Sequence, residues 1–165
     1  MAKLIILRGN SGNGKTTIAK GLQKKFGHGT MLISQDVVRR EILYVKDGEK
    51  PNVEELIFQL AMFGKQNCEI VIMEGIFNSK WYNNLFKKLL KEFKKDIFAF
   101  YFNIPFEETL KRHKTKVEAN EFGEKEMRKW WLPNDLLKFI PEKLLGKELG
   151  AAEIISLIYE AVLEK

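Results

Sequence analysis

A chain of 165 residues, 45% hydrophobic and 30% charged, has the size and make-up of one soluble domain able to bury its own core. No apolar run approaches the length of a membrane span, and Met1-Ala2-Lys3 leads straight into an apolar stretch with no room for a signal peptide. The single Cys68 excludes an internal disulfide and a cysteine-based zinc site and fits a reducing cytoplasm, while the net charge of +6 suits a polyphosphate or nucleic-acid partner.

Taken in order, the chain alternates strand and helix signals. Lys3–Arg8 has the length and apolarity of a buried strand. Gly9-Asn10-Ser11-Gly12-Asn13-Gly14-Lys15-Thr16 follows, and from Thr16 to Phe26 the residues Ile18, Leu22 and Phe26 recur at helical spacing. Thr30–Ile33 reads as a short second strand, with Ser34-Gln35-Asp36 capping a helix from Val37 to Tyr44. A polar loop containing Asp47-Gly48 leads to a helix from Asn52 to about Gln66, with Val53, Leu56, Ile57, Leu60 and Phe63 on one face. Glu69–Gly75 is a nearly continuous apolar strand ending in an acid, as expected of a central parallel strand.

A helix from about Lys80 to Lys94 comes next. There Lys87, Lys88, Lys91, Lys94 and Lys95 interleave with Phe86, Leu89, Leu90 and Phe93, so much of the net charge belongs to one wet helix face. Asp96–Asn103 is the next buried strand. Pro105 opens a helix as a first-turn proline, with acids at its start and Lys111, Arg112 and His113 at its end. Thr115 to Glu124 reads as a mobile loop, Glu124 to Phe139 as a helix, Leu144-Leu145 as a short fifth strand, and Ala151 to Leu163 as a core-facing helix. The predicted fold is a three-layer α/β domain spanning residues 1–165: a parallel sheet of about five strands, helices on both faces and a helical lid over roughly residues 112–130.

The stretch Gly9–Thr16 matches G-x-x-x-x-G-K-[ST] in its required setting, between a strand and a helix. Glycines at 9, 12 and 14 let the backbone approach a phosphate, and the N–H groups from Asn10 to Thr17, with Ser11 and Asn13 between them, would form an anion nest at a helix N-terminus. Lys15 would reach the β- and γ-phosphates of ATP, and the Thr16 hydroxyl would bind Mg²⁺. Ligands of such sheets sit at the carboxyl ends of the strands. Strand two delivers Asp36 there, three residues before Arg39, as a proton acceptor or as a helix cap. Arg40 lies about 100° from Arg39, so at most one of the two faces the site squarely. Strand three delivers Glu74, a Mg²⁺-holding acid or a solvated strand end. Arg112, Lys116 and Arg128 are cations that a closing lid would use on transferring charge or that belong to a basic solvated helix end, and His113 carries no ligand role. Trp130 and Trp131 lie about 100° apart and cannot both face the core of one helix; either packs into the core, or one of them lines an aromatic surface for a base or sugar ring.

With these residues in view, the chain resembles the P-loop kinases that phosphorylate small molecules and nucleic-acid ends. Ile33-Ser34-Gln35-Asp36 and Ile72-Met73-Glu74-Gly75-Ile76 are similar to motifs of uridine kinases, and Asp36-Val37-Val38-Arg39 is similar to that of phage-type polynucleotide 5′-kinases. Arg128-Lys129-Trp130-Trp131-Leu132-Pro133-Asn134-Asp135 resembles a segment of small bacterial proteins labelled uridine kinase or AAA-type ATPase. The resemblance implies Asp36 as general base, Arg39 as a substrate-phosphate ligand and Arg112 or Arg128 as lid cations. Lys116 stands where kinases of this group often carry a second arginine and cannot make its planar bidentate contact. The expected activity is transfer of the γ-phosphoryl group of ATP to a hydroxyl of a small molecule, nucleoside or nucleotide. The alternatives are a polynucleotide 5′-hydroxyl kinase, a regulatory ATPase that transfers nothing, and a toxin-like kinase of a cell-wall sugar nucleotide.

Overall fold

The computed structural model describes residues 1–115 and 122–165. The expected mobile loop falls mostly on the segment between them, and Lys116 lies outside the described residues. Strands β1 (Lys3–Arg8), β2 (Met31–Ser34), β3 (Ile70–Gly75), β4 (Ile97–Asn103) and β5 (Glu142–Gly146) form one sheet in the order β2-β3-β1-β4-β5. Every pairing is parallel. Helices α1 (Lys15–Phe26), α2 (Gln35–Val37), α3 (Pro51–Asn67), α4 (Asn83–Phe93), α5 (Phe106–His113), α6 (Glu124–Trp130) and α7 (Ala151–Leu163) surround it.

The period of two in β1 sorts its side chains into two cores. Leu4 and Ile6 join Val71 and Met73 of β3 and the buried faces of α3 and α4, whereas Ile5 and Leu7 join Ile70 and Ile72 and the faces of α1 and α7. Each fully buried Leu or Ile contributes about 1.5–3 kcal/mol. This two-sided burial is what makes β1 and β3 read as continuous apolar runs. Register then sets the site: Arg8 lies opposite Gly75 and Tyr101, and Ser34 lies opposite Glu74. The carboxyl ends of β1, β2 and β3 therefore share one edge.

Four local expectations change. The helix after β2 is one α-turn that widens into a π-helical turn, Val38–Ile42, rather than a regular helix to Tyr44. The buried stripe of α3 is Val53, Ile57, Ala61 and Gly64, a ladder of i+4, i+4 and i+3 steps, which leaves Phe63 60% exposed. Pro105 sits one residue before α5, in an extended conformation, instead of in its first turn. The helix expected to reach Phe139 stops at Trp130, because Pro133 disfavours helical backbone at Leu132 and offers no N–H.

Candidate active site

At the end of β1 the chain turns at once into the glycine-rich loop. Gly9 and Gly12 hold φ of +149° and +80°. A Cβ on Gly9 would stand 3.0 Å from the Cβ of Phe102, so both space and conformation require glycine there. The loop is fixed from outside by two asparagines. Asn13 donates to the Phe102 carbonyl at 3.3 Å and accepts from the Thr109 hydroxyl at 2.8 Å. Asn10, 5% exposed, donates to the Leu132 carbonyl at 2.8 Å and accepts the Leu132 N–H at 2.7 Å. Both side chains thus hold the loop to its surroundings and leave its interior to backbone groups. α1 starts at Lys15 without a side-chain cap, so the positive end of the helix is available to an anion.

Lys15 is buried and donates from Nζ to the Asn10 carbonyl at 2.6 Å. One residue on, the Thr16 hydroxyl donates to Oε1 of Glu74 at 3.1 Å. Glu74 is buried on the penultimate position of β3, and the adjacent pairing of β1 with β3 is what brings it to the first turn of α1. A hydroxyl and a carboxylate oxygen one hydrogen bond apart, beside an open helix end, form a donor set of hard oxygens that suits Mg²⁺.

Asp36 and Arg39 line the same opening. The helix start after β2 is capped by Ser34, whose Oγ accepts the Val37 N–H at 3.4 Å. Capping therefore does not occupy Asp36, whose side chain is 69% exposed and accepts from Arg39 Nη2 at 3.4 Å. Arg39 also donates to the Val45 carbonyl at 3.3 Å and lies 3.8 Å from Asp47. A cavity of about 330 Å³ joins these groups, with the glycine-rich loop, Asp36, Arg39 and Glu74 all on its wall. Arg40, carried on the π-helical turn, lines it too.

Aromatic groups line the cavity as well. His113 is buried, stacks on Phe122 at 4.5 Å and bonds the Phe122 carbonyl through Nε2 at 2.7 Å. Trp130 meets Phe122 edge-on and Trp131 meets Phe106 edge-on, and both tryptophans reach the cavity wall. Neither enters a core cluster. Arg112 and Arg128 are not on that wall. Each pairs with the glutamate four residues earlier in its own helix, Glu108 at 3.3 Å and Glu124 at 3.0 Å.

The supporting group that sequence reasoning missed is Arg8. Its guanidinium is fully buried and grips Glu142 through Nη1 at 2.8 and 3.0 Å, Asp135 through Nη2 at 2.9 Å, and the Phe77 carbonyl at 2.9 Å. Asp135 in turn accepts from the backbone and hydroxyl of Ser79 at 2.9 and 2.5 Å. Phe77 is held at a left-handed φ of +43°, with its N–H given to Gln35 at 2.8 Å. Those bonds offset the cost of the conformation, about 1–2 kcal/mol. Burial pushes the phenols of Tyr82 and Tyr101 above their ordinary range, so each stays a neutral hydroxyl. Tyr82 accepts from Gln35 at 3.1 Å and Tyr101 accepts the Asp135 N–H at 3.2 Å. The signal was present: a charge at the end of an apolar strand needs a partner, and the reasoning applied to Glu74 applies to Arg8.

Parallel sheet, glycine-rich loop and strand-end acids together define a P-loop kinase fold. The Mycobacterium tuberculosis APS kinase CysC, solved with AMPPNP and APS, superposes with a TM-score of 0.71 at 16% identity, covering 99% of this chain and 98% of that one. A gluconokinase from Sinorhizobium meliloti 1021 gives 0.65 at 13% identity over 98% and 92% of the two chains. Shikimate kinase from Acinetobacter baumannii, solved with shikimate, gives 0.63 at 17% identity over 99% and 94%. Residues 4–130 match the family described as an AAA domain, and the chain belongs to that family. No curated protein matches the sequence. No helix among the described residues is long and apolar enough to cross a membrane.

Proposed function

We propose that the protein is a Mg²⁺- and ATP-dependent phosphotransferase that moves the γ-phosphoryl group to a hydroxyl of a small molecule, nucleoside or nucleotide. The observation that carries this reading is the single cavity that puts the glycine-rich loop and Asp36 on one wall. The loop amides and Lys15 would hold the triphosphate, and Thr16 with Glu74 would hold Mg²⁺, which supplies positive charge against the phosphate oxygens. Asp36, exposed and only loosely paired, would accept the proton of the acceptor hydroxyl or orient it. Arg39 would neutralise acceptor or phosphoryl charge from its place beside Asp36. Arg112 and Arg128 would serve the transferring group after leaving Glu108 and Glu124. The small-molecule kinases among the structural neighbours support the reaction class by analogy of fold.

The test is transfer from radiolabelled ATP with Mg²⁺ to a panel of nucleosides, nucleotides, sugars and oligonucleotide 5′-ends. Labelling of at least one acceptor, lost in Asp36→Ala, is the expected result; no labelling of any acceptor would remove the proposal. Two arginines on one cavity wall also favour an acceptor that carries phosphate, including a polynucleotide 5′-end. That version predicts oligonucleotide binding that weakens steeply with salt.

A further inference from the structure

Asn10 is tied at three atoms, and the ties lead in two directions. Its carbonyl accepts the Lys15 ammonium at 2.6 Å. Its side-chain amide spans the backbone of Leu132 with bonds of 2.8 and 2.7 Å, one given and one received. Leu132 immediately follows Trp130 and Trp131, which stand on the cavity wall. No other loop residue pins that stretch among the described residues: Asn13 reaches β4 and α5 instead. The Lys15 ammonium has three N–H donors and gives one to the Asn10 carbonyl, so a phosphate held by another is joined through the ammonium to the Asn10 backbone, and any shift of that backbone is passed through two short bonds to Leu132.

We propose that Asn10 is a positioning residue whose side-chain amide couples phosphate occupancy of the glycine-rich loop to the placement of the Trp130–Trp131 wall. The inference rests on the reading of that loop as a triphosphate site. The amide is suited to the task because one planar group both donates and accepts, so it fixes a peptide unit in position and in rotation. Serine can make one of the two bonds and alanine neither.

The experiment uses Trp81→Phe as background, so that tryptophan emission reports on residues 130 and 131 alone, with Mg-AMPPNP as ligand. Calorimetry gives the affinity and stopped-flow fluorescence the response of the wall. In the background protein, binding is accompanied by an emission change. At saturating Mg-AMPPNP, Asn10→Ala and Asn10→Ser are expected to lose more than half of the emission change or to slow it about tenfold, whatever affinity they retain, the scale set by losing one or two hydrogen bonds. Full amplitude and rate in both variants would overturn the inference. So would failure of both variants to fold, which would assign the amide pair to stability alone. Binding without any emission change in the background protein would overturn the coupling and leave the triphosphate site standing. No binding at all would remove both.

Discussion

Two clusters of charge stand at the same end of the sheet and are built in opposite ways. Around Arg8 the guanidinium is wholly buried and the carboxylate of Glu142 is 1% exposed, with ion-pair distances of 2.8 and 2.9 Å. Around Arg39 the carboxylate of Asp36 is mostly in water, and the contacts stretch to 3.4 and 3.8 Å. The elementary charges are the same, but the cost of separating them is not. Removing one member of a buried, hydrogen-bonded set strands the rest, at about 3–5 kcal/mol, whereas an exposed pair is worth about 0–1 kcal/mol. The Arg8 set therefore fixes the positions of β1, β5, Phe77 and Asp135. The Asp36–Arg39 pair can exchange a partner for a ligand at little cost, which is what a group acting on a substrate needs.

Two substitutions test this contrast directly, and they should separate stability from activity. Asp36→Ala is expected to leave the urea midpoint unchanged within about 0.5 kcal/mol while lowering phosphoryl transfer by about 10²- to 10⁴-fold, the range for loss of a general base. A fall in both together would mean that Asp36 belongs to the fold. Arg8→Met should do the reverse in kind, destabilising by about 3–5 kcal/mol at an unchanged denaturant slope. Arg8 Cζ lies 5.6 Å from the ring centres of both Phe86 and Tyr101, so an apolar side chain can occupy part of the space without rescuing the stranded acids. Adding Glu142→Gln and Asp135→Asn to Arg8→Met should recover part of the loss. A cost below about 1 kcal/mol for Arg8→Met would erase the distinction drawn between the two clusters.

The same contrast explains what could be read in the sequence. The sheet was legible because β1, β3 and β4 are buried on both faces and so carry unbroken apolar runs. The glycine-rich loop was legible because phosphate binding fixes residue types at fixed spacing within eight positions. Glu74 could be singled out because ligands gather at strand ends, a rule that gives a place for a residue before any distance is known, but its bond to Thr16 is a finding of the structure. Arg8 was not read because its partners lie 127 and 134 residues away and no local pattern joins them. Asp135 stands in the sequence only within a resembling segment, with no local pattern to mark its partner. The helix after α5 was overextended because aromatic and apolar residues on either side of Pro133 mimic helical periodicity. Phe63 was misplaced for a related reason: a wheel drawn on hydrophobicity does not register that Gly64 supplies the close contact with the sheet.

Ser34 offers a finer probe of the exposed cluster. Its hydroxyl caps the turn that carries Asp36 through a bond at the long end of the range, 3.4 Å. Ser34→Ala is accordingly expected to cost about 0.5–1 kcal/mol, at the lower part of the usual range for a lost cap. If Asp36 is positioned by that turn, the same change should reduce the transfer rate a few-fold without altering nucleotide affinity. Asparagine at 34 should restore both values, since its side-chain oxygen caps as well as that of serine.

Arg112 also has a small expected effect on stability, and it is the one that decides whether the proposed lid cations act on the transferring group. Arg112 follows Glu108 by four residues, the favourable order for an ion pair on a helix, and both side chains are about one-third exposed. Such a pair is worth about 0.3–0.5 kcal/mol, so Arg112→Ala should barely move the denaturation midpoint. Whatever it does to phosphoryl transfer can then be attributed to the site. A loss of more than tenfold would mean that Arg112 leaves Glu108 and reaches the transferring group; an unchanged rate would confine it to the helix surface. Glu108→Gln supplies the reverse check. It removes the competing carboxylate and is expected to hold transfer constant or raise it about twofold, in keeping with the release of a fraction of a kcal/mol. A rate that falls in Glu108→Gln would mean that the pair itself, rather than the liberated guanidinium, is the functional unit, and that Arg112 acts as Arg8 does, by holding other groups in place.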